Sequence, residues 1–251
     1  MRRRFFVEKF HPNNSAELRG EAAEHLGRVL RAEAGQLYEL SDGRSVWLAR
    51  VESVALTKRG DSRVEFALVE PVASREPKLQ IQLLVSLVKF DRLEWCLEKA
   101  TELGATEIVP MAAARSDKAL IAAASKRHAR WERIVVESAQ QARRVKPPVM
   151  RDVVNAEQAF GASQADLKIV LSEREDAPPM RDAVPRDASE AAPGERASVA
   201  LAIGPEGGWT GAELSAARAA GFVEASLGEN ILRTETAVIA SLAMLRFAME
   251  A

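Results

Sequence analysis

The sequence predicts an α/β protein in which a small β-rich module precedes a parallel sheet. Short alternating runs predict strands at 36–40, 45–51 and 63–70, with turn residues between them. From residue 78 onward, near-continuous apolar runs alternate with helical patterns, which is typical of a parallel sheet covered by helices. We therefore expect two domains, 1–71 and 72–251.

The individual elements follow from local patterns. One helix is expected before the first strands, across residues 15–30. The second domain is expected to contain buried strands at 78–88, 106–111, 166–171, 198–204 and 223–227. Its helices are expected at 89–104, at 125–144, from 211 to just before Gly221, and at 234–249. The stretch 173–196, rich in Pro, Ala and charge, is predicted to be a surface excursion.

The composition excludes several classes of protein. The formal net charge is −1, so the chain does not bind nucleic acid simply by being cationic, although a local basic face is compatible with it. Cys96 is the one cysteine, which excludes an intramolecular disulfide, and no metal site is expected from three scattered histidines. The N-terminus lacks the apolar segment of a secretory signal and no run resembles a membrane span, so we expect a cytoplasmic protein.

The stretch "AIGPEGGWTGAE" (202–213) carries a glycine-rich loop between a strand and a helix. Thr210 and Glu213 have the spacing of a capping box, which predicts a helix start at Gly211. The loop lacks the lysine of a phosphate-binding loop, and Glu206 would repel a pyrophosphate. It therefore suits a ligand with hydroxyl, amine or positive charge, unless it is only a tight turn.

A second stretch, "LGENILRTETA" (227–237), repeats the order strand, loop, helix. Loops at the carboxyl ends of parallel strands are where α/β sheets bind ligands. The helix start near Thr234 offers free backbone N–H groups to such a ligand. Two such loops in succession predict a nucleoside pocket lined by main-chain groups.

These two stretches closely resemble the C-terminal signature of the RsmE-type 16S ribosomal RNA (uracil-N3)-methyltransferases of the SPOUT superfamily. Further blocks resemble the same family: "RRRFFV" (2–7), "VKFDRLEWCLEKATELGATEIVPMAAARS" (88–116) and "ESAQQARRVKPP" (137–148). The resemblance covers nearly the whole chain in order. It implies a SPOUT-type sheet with a C-terminal trefoil knot, an N-terminal PUA-like RNA-binding domain, and a homodimer.

The resemblance also implies S-adenosyl-L-methionine as the cofactor and 16S rRNA, in the small ribosomal subunit, as the partner. The expected cofactor-binding residues are Leu171, Gly204, Glu206, Gly207, Gly208, Leu227, Gly228, Ile231, Leu232, Thr234, Thr236 and Ala237. Main-chain groups are expected to hold the adenosine, and Glu206 the polar or cationic part of the donor.

Methyl transfer from a sulfonium needs alignment and a nucleophilic uracil N3 rather than a metal. Arg233 is the candidate for stabilising the uracil anion or a flanking phosphate, or it forms a structural ion pair. Glu235 is the candidate base, or it only caps its helix. The expected RNA-binding residues are Arg2, Arg3, Arg4, Arg115, Gln141 and Arg144.

Two rival functions remain open on the sequence. The first is a non-catalytic RNA-binding assembly factor with a degenerate methyltransferase domain. The second is a SPOUT methyltransferase that acts on another RNA position.

Overall fold

The computed structural model describes residues 3–57, 61–74, 77–184 and 197–249, and the chain divides into two units. Unit 1 comprises Met1–Glu76 together with Ala139–Pro147. Unit 2 comprises Pro77–Ser138 and Pro148–Ala251. We call Ala139–Pro147 the return segment, because the chain comes back to unit 1 there. The functional division into 1–71 and 72–251 stays a prediction. It assigns the return segment to the second domain, whereas the structure assigns this segment to unit 1.

The described part of unit 1 is built on a five-stranded sheet in the order β1-β3-β4-β5-β2. Its strands are β1 (Arg4–Phe6), β2 (Ser15–Arg19), β3 (Leu37–Ser41), β4 (Val46–Ala55) and β5 (Arg63–Pro71). β1 pairs with β3 in parallel, and the other neighbours are antiparallel. The three predicted strands of this region are confirmed as β3, β4 and β5.

The prediction of a helix across 15–30 is wrong for its first part, residues 15–19, which form strand β2. Ala16 and Leu18 alternate with polar residues, and both are buried as β2 pairs with β5. Gly20, with φ +58°, turns the chain into α1 (Gly20–Glu24), which continues as a π-helical turn at His25–Val29. Strand pairing therefore overrides the local helical pattern.

Unit 2 contains the predicted parallel sheet, which in the described residues runs β12-β10-β11-β6-β7-β8, with β9 also paired to β7. The strands are β6 (Leu79–Ser86), β7 (Glu107–Ala112), β8 (Val149–Met150), β9 (Val154–Asn155), β10 (Leu167–Leu171), β11 (Ala197–Ile203) and β12 (Val223–Ala225). Every pairing among them is parallel. This confirms the α/β fold class.

Helices cover this sheet on both faces. They are α2 (Phe90–Glu102), α3 (Lys118–Ala124), α4 (His128–Gln141), α5 (Ala156–Ala162), α6 (Met180–Ala183), α7 (Gly211–Ala219) and α8 (Thr234–Met249). A 3₁₀ turn at Ser125–Arg127 precedes α4, and α4 ends in the return segment. The helix expected at 125–144 is thus confirmed with a shorter extent.

Burial on both faces explains the near-continuous apolar strands. Leu83 of β6 packs into one hydrophobic cluster with α2 and α8, whereas Leu84 packs into a second cluster with α5 and α7. Both leucines are fully buried. The trefoil knot stays a prediction.

The predicted surface excursion at 173–196 is wrong for its described part from Met180 onward, because α6 lies there and Met180 and Val184 are buried in the first cluster. Residues 185–196 lie outside the described residues. Within the described chain, no helix is both long and apolar enough to cross a bilayer.

Candidate functional site

The first glycine loop is fixed by a buried carboxylate. Thr210 and Glu213 form the predicted capping box at the start of α7, which confirms that element. The second Glu213 oxygen accepts a hydrogen bond of 2.8 Å from the backbone N–H of Ala114. Gly208 has φ +68° and donates its N–H to the carbonyl of Pro205 at 2.8 Å. The loop between β11 and α7 is therefore a turn tied to the segment that follows β7.

Trp209 joins this loop to the end of β10. Its indole N–H donates to the carbonyl of Leu171 at 2.8 Å. A Cβ atom at Gly204 would lie 3.0 Å from the Trp209 ring, so the glycine allows the ring to pack against the loop. A carbonyl oxygen has two lone pairs, so Leu171 keeps one acceptor site for a ligand.

The second loop leads from β12 into α8. Gly228 has φ +114°, a conformation that L residues rarely adopt, and nothing would contact a Cβ placed there. Ala237 donates its N–H to the carbonyl of Arg233 at 2.9 Å, so Arg233 is the first residue whose carbonyl bonds within the helix. The N–H groups of the first turn of α8 have no earlier carbonyl within the helix to bind.

Both loops border one cavity of about 650 Å³, at the carboxyl ends of β10 and β11. This is the range typical of small-molecule sites. Of the expected cofactor-binding residues, the cavity is lined by Leu171, Gly204, Glu206, Gly207, Gly208, Leu227, Gly228, Ile231, Leu232, Thr234 and Ala237. Thr236, also expected, is exposed and is not part of the lining.

Glu235 does not face the cavity. Its side chain is buried, and one carboxylate oxygen has no hydrogen-bond partner. Burial, and secondarily the Glu235 charge, raises the pKa of the Cys96 thiol to about 12, which places the carboxylate beside α2. The role of Glu235 as the base stays a prediction, and its burial outside the cavity lining does not favour it.

Charged side chains surround the cavity. Arg92, at the start of α2, forms an ion pair with Glu206, so the expected ligand-binding carboxylate already has a cationic neighbour. Arg115 lines the cavity and donates to the carbonyl of Gly207 at 2.7 Å. The structure thus places Arg115, expected on the RNA-binding face, against the glycine loop. Arg233 is exposed in the lining, and no ion pair of its guanidinium occurs among the described residues.

Arg92 was missed by the sequence reasoning. It follows β6, and β6 lies beside β11 in the sheet, so residues after the two strands share one edge. The strand order that brings them together cannot be seen from the chain order alone. Glu173, Arg174 and Glu229 also line the cavity, although each lies within three residues of a predicted site residue and was not predicted itself. Across the described residues, no cluster of three or more His, Cys, Asp or Glu side chains could hold a metal ion.

The predicted RNA-binding residues of unit 1 divide into exposed and buried side chains. Arg4 is buried: its guanidinium donates to Glu39 at 2.8 and 3.1 Å and to the carbonyl of Arg143. A guanidinium held in this way is not presented to a phosphate, so the prediction for Arg4 is corrected. Arg3 and Gln141 are exposed and Arg144 is half-buried. Arg2 lies outside the described residues.

Fold and site together define a class: a parallel α/β protein with a small-molecule-sized cavity, lined largely by loop residues, at the carboxyl edge of its sheet. The family model of an RNA methyltransferase domain matches residues 75–246. The chain belongs to this RNA methyltransferase family.

Relatives and solved structures agree with this. The chain is 32% identical to ribosomal RNA small subunit methyltransferase E of Synechocystis sp., over 90% of this chain and 71% of the relative. It is 29% identical to the protein of that name from Bacillus subtilis, over 98% of this chain and 97% of the relative.

Among solved structures, it is similar to the Neisseria gonorrhoeae methyltransferase E bound to S-adenosyl methionine, with TM-score 0.83, 29% identity and 98% coverage of each chain. It is also similar to a methyltransferase from Legionella pneumophila in complex with the same cofactor, with TM-score 0.82, 30% identity, and coverage of 99% of this chain and 98% of that one.

Proposed function

We propose that this protein transfers the methyl group of S-adenosyl-L-methionine to N3 of a uracil in 16S rRNA of the small ribosomal subunit. One observation carries the proposal. In a chain of the RNA methyltransferase family, both glycine loops and the start of α8 border a single cavity. The methyltransferase E relatives support the choice of small-subunit rRNA. An enzyme with this substrate is expected in the cytoplasm, where ribosomes are assembled.

The cavity suits a nucleoside cofactor. Leu171, Leu227 and Leu232 provide apolar surface for an adenine ring. Gly204 and Gly228 expose backbone without a Cβ atom, so main-chain groups can approach a ligand closely. The two similar structures that contain the cofactor support the same assignment. The bound cofactor supplies a methyl group on a sulfonium, which is already a good leaving group.

The residues of the chain then have to make the uracil N3 nucleophilic. N3–H is a weak acid, so the anion that remains after proton loss needs positive charge close by. Arg233 lies at the cavity with its guanidinium exposed, and we assign it this stabilising role. We assign no proton acceptor, because Glu235 is buried and does not belong to the cavity lining.

The decisive experiment is mass mapping of 16S rRNA from cells with and without the gene. We expect 3-methyluridine to disappear with the gene and to return with the wild-type copy. A copy that carries Arg233→Gln should bind the cofactor normally but restore little modification. If 3-methyluridine persists without the gene, the proposed substrate position is wrong.

The two rival functions predict other outcomes. A non-catalytic assembly factor would show no cofactor binding in calorimetry, although both glycine loops are present and border the cavity. A methyltransferase for another position would bind the cofactor, and a different methylated nucleoside would disappear with the gene. The intact loops favour an active enzyme over the first rival.

We also propose a homodimer, supported by an apolar stripe on α8. Met244 and Phe247 are 40% and 85% exposed, and the half-buried Ala240 lies one turn earlier on the same face. Large exposed apolar side chains at helical spacing are typical of an interface. Light scattering should give the mass of a dimer, and Phe247→Glu should give a monomer. A wild-type monomer at micromolar concentration would contradict the proposal.

Unit 1 is proposed as the RNA-binding part, as the PUA-like resemblance implies. The exposed Arg3 and Gln141 support this, and both belong to unit 1. Substitution of Arg3 by Gln should weaken the affinity for small subunits and lower its salt dependence, because phosphate contacts release counterions. An unchanged salt slope would argue against a phosphate contact by Arg3.

A further inference from the structure

The ion pair between Arg92 and Glu206 spans two elements that border the cavity. Arg92 lies in the first turn of α2, and Glu206 lies in the loop between β11 and α7. The Arg92 Nη1 donates to Glu206 Oε1. The two side chains are 29% and 52% exposed, so neither is needed to neutralise a buried charge.

This pair differs from the other charged contacts at the cavity. Arg174 binds Asp176 at 2.8 Å, but Asp176 is not in the lining. Arg115 is bound to a backbone carbonyl rather than to an acid. Of the ion pairs between described residues, Arg92–Glu206 is the one with both members in the cavity lining.

We propose that Arg92 and Glu206 bind the amino-acid end of the cofactor. This inference rests on the proposed function, because it assigns a subsite of the same cavity. An α-amino acid carries an ammonium and a carboxylate on one carbon, so its complement is a cation and an anion held side by side. Glu206 accepts hydrogen bonds from the ammonium, and Arg92 donates to the carboxylate.

The chemistry of the two side chains allows this without loss of their mutual contact. A guanidinium has five N–H donors in a planar fork, so it can hold Glu206 and a second carboxylate together. A carboxylate likewise accepts several hydrogen bonds. The exposed pair is held weakly, so a ligand can rearrange it easily.

The local backbone keeps Glu206 in place for this role. The turn at Gly208 and the hydrogen bond from Arg115 to the Gly207 carbonyl fix the loop that carries it. The carboxylate of Glu206 forms no capping contact, unlike that of Glu213. Its carboxylate is therefore held by Arg92 rather than by the backbone of its own loop, and a ligand can share that contact while the loop stays fixed.

The test compares two ligands that differ at the amino-acid end. S-adenosylhomocysteine has this end, whereas 5′-methylthioadenosine stops at the thioether. Calorimetry of both ligands is carried out on the full-length protein and on the variants Arg92→Gln and Glu206→Gln. We expect each variant to lose about tenfold to hundredfold in affinity for S-adenosylhomocysteine, as charged hydrogen bonds imply. The affinity for 5′-methylthioadenosine should stay unchanged.

Glu229→Gln is the matched control, since Glu229 is another acid of the lining that forms no ion pair within the described residues. It should leave the ratio of the two affinities as in the wild type. An equal loss for both ligands in the Arg92 and Glu206 variants would overturn the inference, because the pair would then only support the loop. No loss for either ligand would also overturn it, and would leave Arg92 as a candidate for an RNA phosphate.

The inference and the proposed function fail in different ways. Wild-type protein that binds neither ligand overturns the proposed function, and this inference with it. Wild-type protein that binds both ligands equally well keeps the cofactor site but rejects the subsite. A clear preference for S-adenosylhomocysteine that both substitutions abolish supports the two together.

Discussion

Glu39→Gln is expected to destabilise unit 1 strongly. The Glu39 carboxylate accepts two hydrogen bonds from Arg4, at 2.8 and 3.1 Å, and further ones from Arg143. The side chains of Arg4 and Glu39 are only 6% and 4% exposed. A glutamine has nearly the same shape, but its NH₂ group would face guanidinium donors, and the Arg4 charge would stay buried without a counter-ion.

The magnitude follows from this burial. Removal of one partner from a buried ion pair typically costs about 3–5 kcal/mol, since the remaining charge stays desolvated. Glu52 provides the matched control in the same sheet, because it pairs with Arg50 at 3.0 Å while its side chain is 49% exposed. For Glu52→Gln we expect a loss of about 0–1 kcal/mol.

Hydrogen exchange of the β3 and β4 amides, followed by mass spectrometry, measures the free energy of opening in unit 1 itself. Urea unfolding of the same variants gives an independent value. Glu39→Gln should accelerate exchange throughout β3 and β4, whereas Glu52→Gln should leave it nearly unchanged. Equal effects of the two substitutions would refute the reasoning, because burial would then not decide the cost.

Burial alone would raise the pKa of Glu39, but the hydrogen bonds from Arg4 and Arg143 outweigh it and keep the pKa below the ordinary 4.5. The stability that the charged Glu39 contributes should therefore be lost as the pH falls below 4.5. The free energies of urea unfolding of the wild type and of Glu39→Gln, measured from pH 7 to pH 3, should converge towards low pH. Burial raises the pKa of Cys96 to about 12, so iodoacetamide at pH 8 should label it only in urea-unfolded protein; fast labelling of native protein would contradict this. Gly228→Ala, at φ +114°, should lower the stability measured by thermal unfolding by about 1–3 kcal/mol, because alanine is strained there. Gly161→Ala, inside α5, should raise the stability slightly. If Gly161→Ala were the more destabilising of the two, backbone strain at Gly228 would be excluded.

The sequence predicts the longer elements of unit 2 well because their local signals agree with the tertiary environment, whereas the short strands β8 and β9 and the helices α3 and α5 were not predicted. The apolar run of β6 is buried on both faces, and the capping box of Thr210 and Glu213 starts α7 where expected. Strand β2 was missed because the residues that follow Arg19 are helical, and the pattern of one element was extended into another. Only the pairing of β2 with β5 shows that residues 15–19 form a strand rather than the first part of the helix.

The parts of the candidate site that were predicted are those whose backbone conformation follows from local sequence, namely the glycine loops and the start of α8. The site was missed where a side chain reaches the cavity from a distant element. Arg92 comes to Glu206 through the order of strands, and Arg4 is turned inward by Glu39, which lies 35 positions later. Charge alone does not show whether an arginine faces solvent or a buried acid.

The return segment makes unit 1 discontinuous along the chain, and this affects its biosynthesis. The ribosome synthesises residues 77–138 before the return segment, although those residues belong to unit 2. Until the return segment has been translated, Glu39 has no Arg143 to bind, and the hydroxyl of Ser41 has no Val145 carbonyl to donate to. The nascent unit 1 therefore reaches its final structure only after residues 77–138 of unit 2 have left the exit tunnel. A fragment that ends at residue 76 corresponds to this unfinished intermediate rather than to an isolated domain.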